Sequence, residues 1–174
     1  MNPTELARLI REVPDFPKPG IVFKDLTPLF ANADAMRSLA DALCEPWIDA
    51  GCTRVVGIEA RGFLLAPLVA ERLGAGVVPV RKAGKLPFTT RSVDYALEYG
   101  TDTLEIHSDA LDADDVVVVI DDVLATGGTA AGVASLVADC GASLAGFGFA
   151  IELGFLRGRS ALDGAPVWSV VTYP

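Results

Sequence analysis

Apolar residues along this chain follow two rhythms: short β-branched runs, and longer segments with apolar positions three or four apart. The densest run is Val116-Val117-Val118-Val119-Ile120, which predicts a strand buried on both faces, as in a parallel sheet covered by helices. Arg54 to Ile58, Val77 to Arg81, Ser143 to Glu152 and Val167 to Thr172 read as further strands. Gly62 to Leu73 and Ala130 to Cys140 read as helices between them. Asp34 to Ala50 sets Met36, Leu39, Ala40, Leu43, Trp47 and Ile48 on one helical face, and Gly51 ends it. Two short strands, near Asp94 to Glu98 and Thr103 to His107, flank a turn at Tyr99 to Asp102. The alternation predicts an α/β fold, a doubly wound and mostly parallel sheet of about five strands with flanking helices. Ligands of such folds bind beyond the carboxyl ends of the strands, so the loops after residues 58, 81 and 120 should converge.

At the N-terminus, Asn2-Pro3-Thr4-Glu5 has the form of a helix start, with a cap, a proline in the first turn and a reciprocal acid. The helix it opens is expected to run to about Glu12. Pro14 to Gly20 carries three prolines and reads as an irregular loop. Lys82 to Ser92 reads as a glycine- and lysine-bearing loop. With no repeat, linker or low-complexity stretch, residues 1–174 are expected to form one domain.

The β-branched run ends in Asp121-Asp122, and Ala125-Thr126-Gly127-Gly128-Thr129 follows before the next helix. Acids at a strand's carboxyl end and bare amides at a helix N-terminus suit a sugar phosphate. The amides and the helix dipole hold the phosphate, Thr126 and Thr129 add hydroxyl donors, and the carboxylates hold sugar hydroxyls or a divalent cation. An ATPase would need the same strand but also a phosphate loop ending in Gly-Lys-Ser/Thr. The only Gly-Lys pair, Gly84-Lys85, is followed by Leu86, which excludes that reading. Gly74-Ala75-Gly76 leads from a helix into a strand, the wrong context for dinucleotide binding.

Charge narrows the partners. A formal net charge of −9 argues against nucleic acid, which needs a basic face. An acidic protein that binds an anion must gather its few cations locally, and Arg81, Lys82 and Lys85 are the densest group. Arg61 opens a predicted helix, where the dipole disfavours a cation unless an anion sits there too. Cys44, Cys52 and Cys140 lie in apolar stretches and read as small core residues in a reducing compartment. His107, the sole histidine, has no cluster of ligand-type residues around it. Met1 to Ile10 lacks the features of a signal peptide, and no apolar run approaches the ~20 residues of a membrane span. The expectation is a cytoplasmic protein without a membrane partner.

Val117 to Thr129 resembles the phosphoribosyl diphosphate signature of the type I phosphoribosyltransferases. The likeness covers nearly the whole chain, in family order: PDFPKPGIVFKDLTP at Pro14 to Pro28, GIEARGFLLAP at Gly57 to Pro67, VRKAGKLP at Val80 to Pro87 and YALEYG at Tyr95 to Gly100. The proline-rich and Arg-Lys-x-Gly-Lys-Leu-Pro segments are similar to the branch of that family that uses adenine. The resemblance implies transfer of a phosphoribosyl group from phosphoribosyl diphosphate to adenine, with Mg²⁺ as cofactor. Other bases (hypoxanthine and guanine, xanthine, orotate) and a non-catalytic sensor of phosphoribosyl diphosphate are the alternatives.

It also implies roles. Ala60-Arg61-Gly62 becomes the diphosphate loop, in which family members often hold a cis peptide, with Arg61 a bidentate cation for the leaving group. Asp121 and Asp122 face the ribose hydroxyls, directly or through metal-bound water, and Ala125, Thr126, Gly127, Gly128 and Thr129 wrap the 5′-phosphate. Arg81, Lys82 and Lys85 reach diphosphate, the first two near the neighbouring site of a homodimer. Tyr99 joins the phosphoribosyl diphosphate site, and Glu98 becomes the residue that assists proton transfer at the purine, though by sequence it is equally an exposed strand residue. Residues 1–33 form a base-binding hood in which Val22, Phe23 and Lys24 contact adenine, while Phe23 is alternatively a core aromatic. The family commonly has Arg where this chain has Lys24, and Lys cannot make a planar, bidentate contact. Residues 82–106 form a flexible lid that keeps water from the activated sugar.

Overall fold

The computed structural model describes residues 1–96, 101–162 and 164–174. Strand β3 (Arg54–Ile58) lies between β4 (Gly76–Lys82) and β7 (Val116–Leu124), parallel to both. Beyond β7 come β8 (Ser143–Leu153) and β9 (Val167–Tyr173), again parallel, which gives the five parallel strands expected. At the other edge β6 (Thr101–His107) and β5 (Thr90–Ala96) add antiparallel strands, so the sheet reads β5-β6-β4-β3-β7-β8-β9. The chain leaves β3 in one direction and β7 in the other. Strand order therefore reverses between these two neighbours, and the ligand crevice of such a sheet lies there.

Strand alternation sends side chains into two cores. Val118 and Ile120 of β7 pack with Val55, Leu65 and Val69 on one side. Val117 and Val119 face the other side with Val133, Leu136, Val137 and Phe147. Helices α1 (Pro3–Ala7), α2 (Thr27–Phe30), α3 (Ala33–Cys44) and α4 (Gly62–Leu73) contribute to the first core, and α5 (Gly128–Asp139) to the second. With apolar cover on both faces, the five β-branched residues that open β7 are the natural centre of the sheet.

Three expected boundaries shift. The capping box between Asn2 and Glu5 forms, but α1 ends at Ala7 rather than near Glu12. Residues Arg11–Pro14 instead form β1, antiparallel to β2 (Val22–Asp25), with the proline-rich stretch as the connection. The competing force is cross-strand: Glu12 faces Lys24 and pairs with it, and Arg11 Nη2 lies 2.7 Å from Asp25 Oδ2. Helix α3 stops at Cys44 and continues as one 3₁₀ turn, Glu45–Trp47. Pro46 has no amide to donate to the α-helical ladder. Strand β5 begins at Thr90, inside the expected loop, because Thr90, Arg91 and Ser92 pair with His107, Ile106 and Glu105.

Phe147, fully buried and stacked on Phe149 with centroids 6.2 Å apart, tests the second core. Phe147→Ala should cost about 3–5 kcal/mol in denaturant unfolding, and a loss below ~1 kcal/mol would show that the core collapses around the gap. The hairpin has an acid-sensitive anchor. Asp25 accepts from the Thr27 amide (2.9 Å) and hydroxyl (2.8 Å) and pairs with Arg11, and these contacts hold its carboxyl down at about 2. A lowered value gives stabilisation that is present above the ordinary carboxylate value and lost as pH falls from about 4 to about 2. Asp25→Asn should flatten the melting temperature over that window, and an unchanged acid profile would contradict the assignment.

Candidate active site

The carboxyl ends of β3, β4, β7 and β8 meet the β1–β2 hairpin around a cleft of about 390 Å³. The loops after residues 58, 81 and 120 do converge: Glu59, Ala60, Arg61, Lys82, Asp121 and Asp122 all line it. At the switch point the chain leaves β3 through a cis Glu59–Ala60 peptide and enters α4 at Gly62. Gly62 sits hard against the end of β7. A Cβ there would lie 2.9 Å from the Ile120 carbonyl oxygen and 3.0 Å from Asp121 Oδ1. This close approach carries Arg61 to the acidic pair, where its Nε donates to the buried Asp122 carboxylate.

The two carboxylates occupy different environments. Asp122 is paired with Arg61, whereas Asp121 accepts the Asp122 amide at 2.8 Å. Burial, and then the neighbouring Asp122 charge, push the Asp121 carboxyl well above the ordinary range. Among the described residues Asp121 has no ion pair of its own, and the Arg61 charge offsets only part of its burial.

Below them, Asp121 and residues 123–130 enclose a smaller cavity of about 70 Å³. Gly127 has φ of 85° and caps α5 without a side-chain hydrogen bond. A Cβ at Gly127 would overlap the Gly158 carbonyl oxygen and lie 2.9 Å from the Ala161 Cβ. Glycine is required there for both conformation and space. Thr126, Gly128 and Thr129 line this cavity, and Ala125 and Thr129 line the large cleft as well.

The cations divide. Lys82 lines the cleft, with its Nζ 3.0 Å from Asp102 Oδ2, and Asp102 also accepts the Tyr95 hydroxyl at 3.3 Å. Arg81 turns to Glu59, with donors 3.1 and 3.3 Å from its two oxygens, and also donates to the Lys85 carbonyl at 3.1 Å. Neither Arg81 nor Lys85 lines the cleft.

Val22, Phe23 and Lys24 do line it, so Phe23 is a wall residue rather than a core aromatic. Its ring lies 5.3 Å from that of Phe16, edge to face, and the Arg61 guanidinium carbon is 5.9 Å from its centroid. Lys24 pairs with Glu12 and sits 4.2 Å over the Tyr173 ring. Glu98 and Tyr99 lie outside the described residues. Residue types alone did not single out Glu59, Tyr95, Val123 or Leu153, which also line the cleft. Tyr95 carried the strongest signal, as a polar-tipped aromatic inside a strand of the expected lid.

A sheet that reverses at an acidic pair, with a glycine-threonine loop below and an arginine loop beside it, is built to hold a phosphorylated sugar. A family model described as a phosphoribosyl transferase domain matches residues 27–164, and the chain belongs to that family. Within it, the chain falls among the adenine phosphoribosyltransferases. It is 53% identical over 169 residues to the adenine phosphoribosyltransferase of Synechococcus sp., covering 97% of this chain and 99% of that one. The crystal structure of the enzyme from Rhodothermus marinus is 48% identical, with a TM-score of 0.94 over 98% of both chains. That of Saccharomyces cerevisiae, complexed with adenine and an imino-altritol bisphosphate, is 42% identical with a TM-score of 0.91 over 97% of both. No helix among the described residues is long and apolar enough to cross a membrane.

The contrast within the acidic pair predicts opposite effects on the ligand-free protein. Asp122→Asn leaves Arg61 without its charged partner and should cost about 1–3 kcal/mol. Asp121 already resists ionisation, so its strain is present above its raised value and absent at acid pH. Asp121→Asn should therefore raise the melting temperature at pH 7 and leave it unchanged at acid pH. Equal losses in the two variants would show that the pair is electrostatically equivalent.

Proposed function

We propose that this chain transfers the 5-phosphoribosyl group of phosphoribosyl diphosphate to N9 of adenine, releasing AMP and diphosphate. The observation that carries the reading is the meeting of Arg61, Asp121 and Asp122 at the switch point, directly above the 125–129 loop. The yeast relative's complex with adenine supports the choice of base.

In this reading the amides of Ala125, Gly127 and Gly128, with the Thr126 and Thr129 hydroxyls, take the 5′-phosphate at the N-terminus of α5. Asp121 and Asp122 take the ribose 2′- and 3′-hydroxyls. Ala60, Arg61 and Gly62 form the diphosphate loop, and Lys82 adds a second cation from β4. N9 of adenine bonds to the anomeric carbon as the bond to diphosphate breaks, and the N9 proton passes to a base, the role this reading gives to Glu98. Positive charge develops on the ribose while negative charge gathers on the leaving diphosphate. Catalysis then comes from positioning and from Arg61 and Lys82 meeting that negative charge. Phe23 stacks on the purine, and Val22 and Lys24 approach its edge from the hairpin. Glu98 assists proton transfer, and Tyr99 joins the phosphoribosyl diphosphate site.

Among the described residues no three acidic, histidine or cysteine side chains cluster to cage a metal. Two carboxylates facing a diphosphate site nevertheless fit Mg²⁺, which is commonly held by one or two carboxylates plus substrate phosphates. Asp121 and Asp122 would hold it, directly or through water, and it would supply charge neutralisation to the leaving group. The reading includes a homodimer with the Arg81/Lys82 region near the neighbouring site; Arg81 lying outside its own cleft supports it, while Lys82 lines its own. It also includes a single domain over 1–174, with a hood at 1–33 and a lid at 82–106. A cytoplasmic location is supported by the free thiols of Cys44, Cys52 and Cys140.

Joint replacement of Asp121 and Asp122 by Asn should lower turnover at least ~100-fold with the fold retained. A change within a few fold would remove the pair from the mechanism. In a base panel with phosphoribosyl diphosphate and Mg²⁺, AMP should form from adenine. Product from hypoxanthine or guanine but none from adenine would overturn the specificity.

A further inference from the structure

Past β8 the chain makes a tight excursion, two 3₁₀ turns at Gly154–Leu156 and Gly158–Ala161, before returning as β9. None of these residues lines the large cleft, and the sequence motifs assign them nothing. Yet this excursion is the wall against which the 125–129 loop is moulded. A Cβ on Gly158 would overlap the Ala125 carbonyl oxygen and lie 2.9 Å from Leu124 Cδ1. A Cβ on Gly127 would overlap the Gly158 carbonyl in turn. Two backbones therefore touch without side chains between them, and the position of Gly158 sets that of Ala125 and Gly127.

The neighbour of Gly158 anchors the turn to the sheet. Arg159 donates to both oxygens of Glu152, at 2.8 and 2.7 Å, and to the Val167 carbonyl at 3.0 Å. Glu152 is 6% exposed and stands in register with Leu124, the residue before the loop. The guanidinium thus ties the end of β8 to the start of β9 and clamps the turn onto these two strands, of which β8 lends Phe149 to the wall of the phosphate cavity. A planar fork is needed, because three acceptors in two directions are beyond an ammonium group's reach.

We propose that Arg159, through its bidentate pair with Glu152, is a positioning residue for the 5′-phosphate loop, holding the Gly158 backbone as the template on which Ala125–Gly127 is shaped. The inference rests on the reading of that loop as the 5′-phosphate site. It predicts a selective defect: contacts to the 5′-phosphate loosen while the diphosphate loop at Ala60–Gly62, built on β3 and α4, is untouched.

The test compares ribose 5-phosphate and inorganic diphosphate with Mg²⁺ as separate calorimetric ligands of the full chain. Replacing Arg159 by Met together with Glu152 by Gln removes the pair without stranding a buried charge. It should weaken ribose 5-phosphate about tenfold, the equivalent of one lost charge-assisted hydrogen bond, and leave diphosphate within about twofold. Arg159→Lys should fall between this variant and the native chain. Gly158→Ala, which keeps the pair but wedges the two backbones apart, should reproduce the selective loss. Arg159→Lys and Gly158→Ala carry the comparison if the double variant does not fold. In kinetics the loss should appear in the KM for phosphoribosyl diphosphate, with the KM for adenine unchanged. Equal weakening of both ligands, or unchanged ribose 5-phosphate binding in a folded variant, would overturn the role of the pair. A native chain that bound diphosphate but not ribose 5-phosphate would overturn the loop reading itself, and the inference with it.

Discussion

The fit of Gly62 against the carboxyl end of β7 is the constraint on which the site depends. With no Cβ, the first residue of α4 reaches the Ile120 carbonyl and the Asp121 side chain. That contact joins two crossover units at the point where strand order reverses. Arg61, one residue earlier, has then only to extend its side chain to reach Asp122. A methyl group at position 62 would force the helix away from the strand, and the arginine loop would part from the acidic pair. Sheet topology and site electrostatics are thus one decision, made where the sequence can place its smallest residue.

The same economy governs the cations. In a chain of net charge −9, each cation near the cleft is held by a carboxylate: Arg61 by Asp122, Arg81 by Glu59, Lys82 by Asp102 and Lys24 by Glu12. Three of these pairs hold side chains that line the cleft, Lys24, Arg61 and Lys82, while the fourth turns Arg81 away from it. Solvent-facing pairs are worth at most about 1 kcal/mol, so an incoming phosphate can share or displace such a carboxylate at small cost. Arg61 is the exception, because its partner is buried and displacing it would strand that carboxylate away from solvent. That difference marks Arg61 and Asp122 as fixed parts of the frame, and Lys82 and Asp102, on β4 and β6, as parts free to rearrange.

Much of this was legible in the residues themselves. The β-branched run and the acids after it located the central strand and the ligand end of the sheet. Helix-period spacing located α4 and α5 to within two residues. What escaped was non-local. Strand β1 exists because Arg11 and Glu12 find Asp25 and Lys24, more than ten residues away, and no local pattern announces such a partner. Glu59 and Arg159 are ordinary charged residues in sequence, and only the folded chain reveals what they hold. The turn at Gly158 carries no motif, since its contribution is backbone shape.

A contrast of support between the two halves of the cleft follows from these differences. The phosphate side is built from the centre of a sheet buried on both faces, with glycine contacts that leave the backbone no room to shift. The hairpin side, proposed above for the base, rests on two four-residue strands whose cross-links, Arg11 to Asp25 and Glu12 to Lys24, are exposed on at least one partner. Lys24 over Tyr173 ties it to the end of β9, and Phe23 meets the Arg61 guanidinium. Segments with few buried contacts open at lower free energy than core strands. On the proposed assignment of the site, the hairpin can yield to admit a flat base while the sugar-phosphate frame stays fixed. In a site whose chemistry is positioning, rigidity belongs with the anomeric carbon and its leaving group, and compliance with the base that must enter and leave.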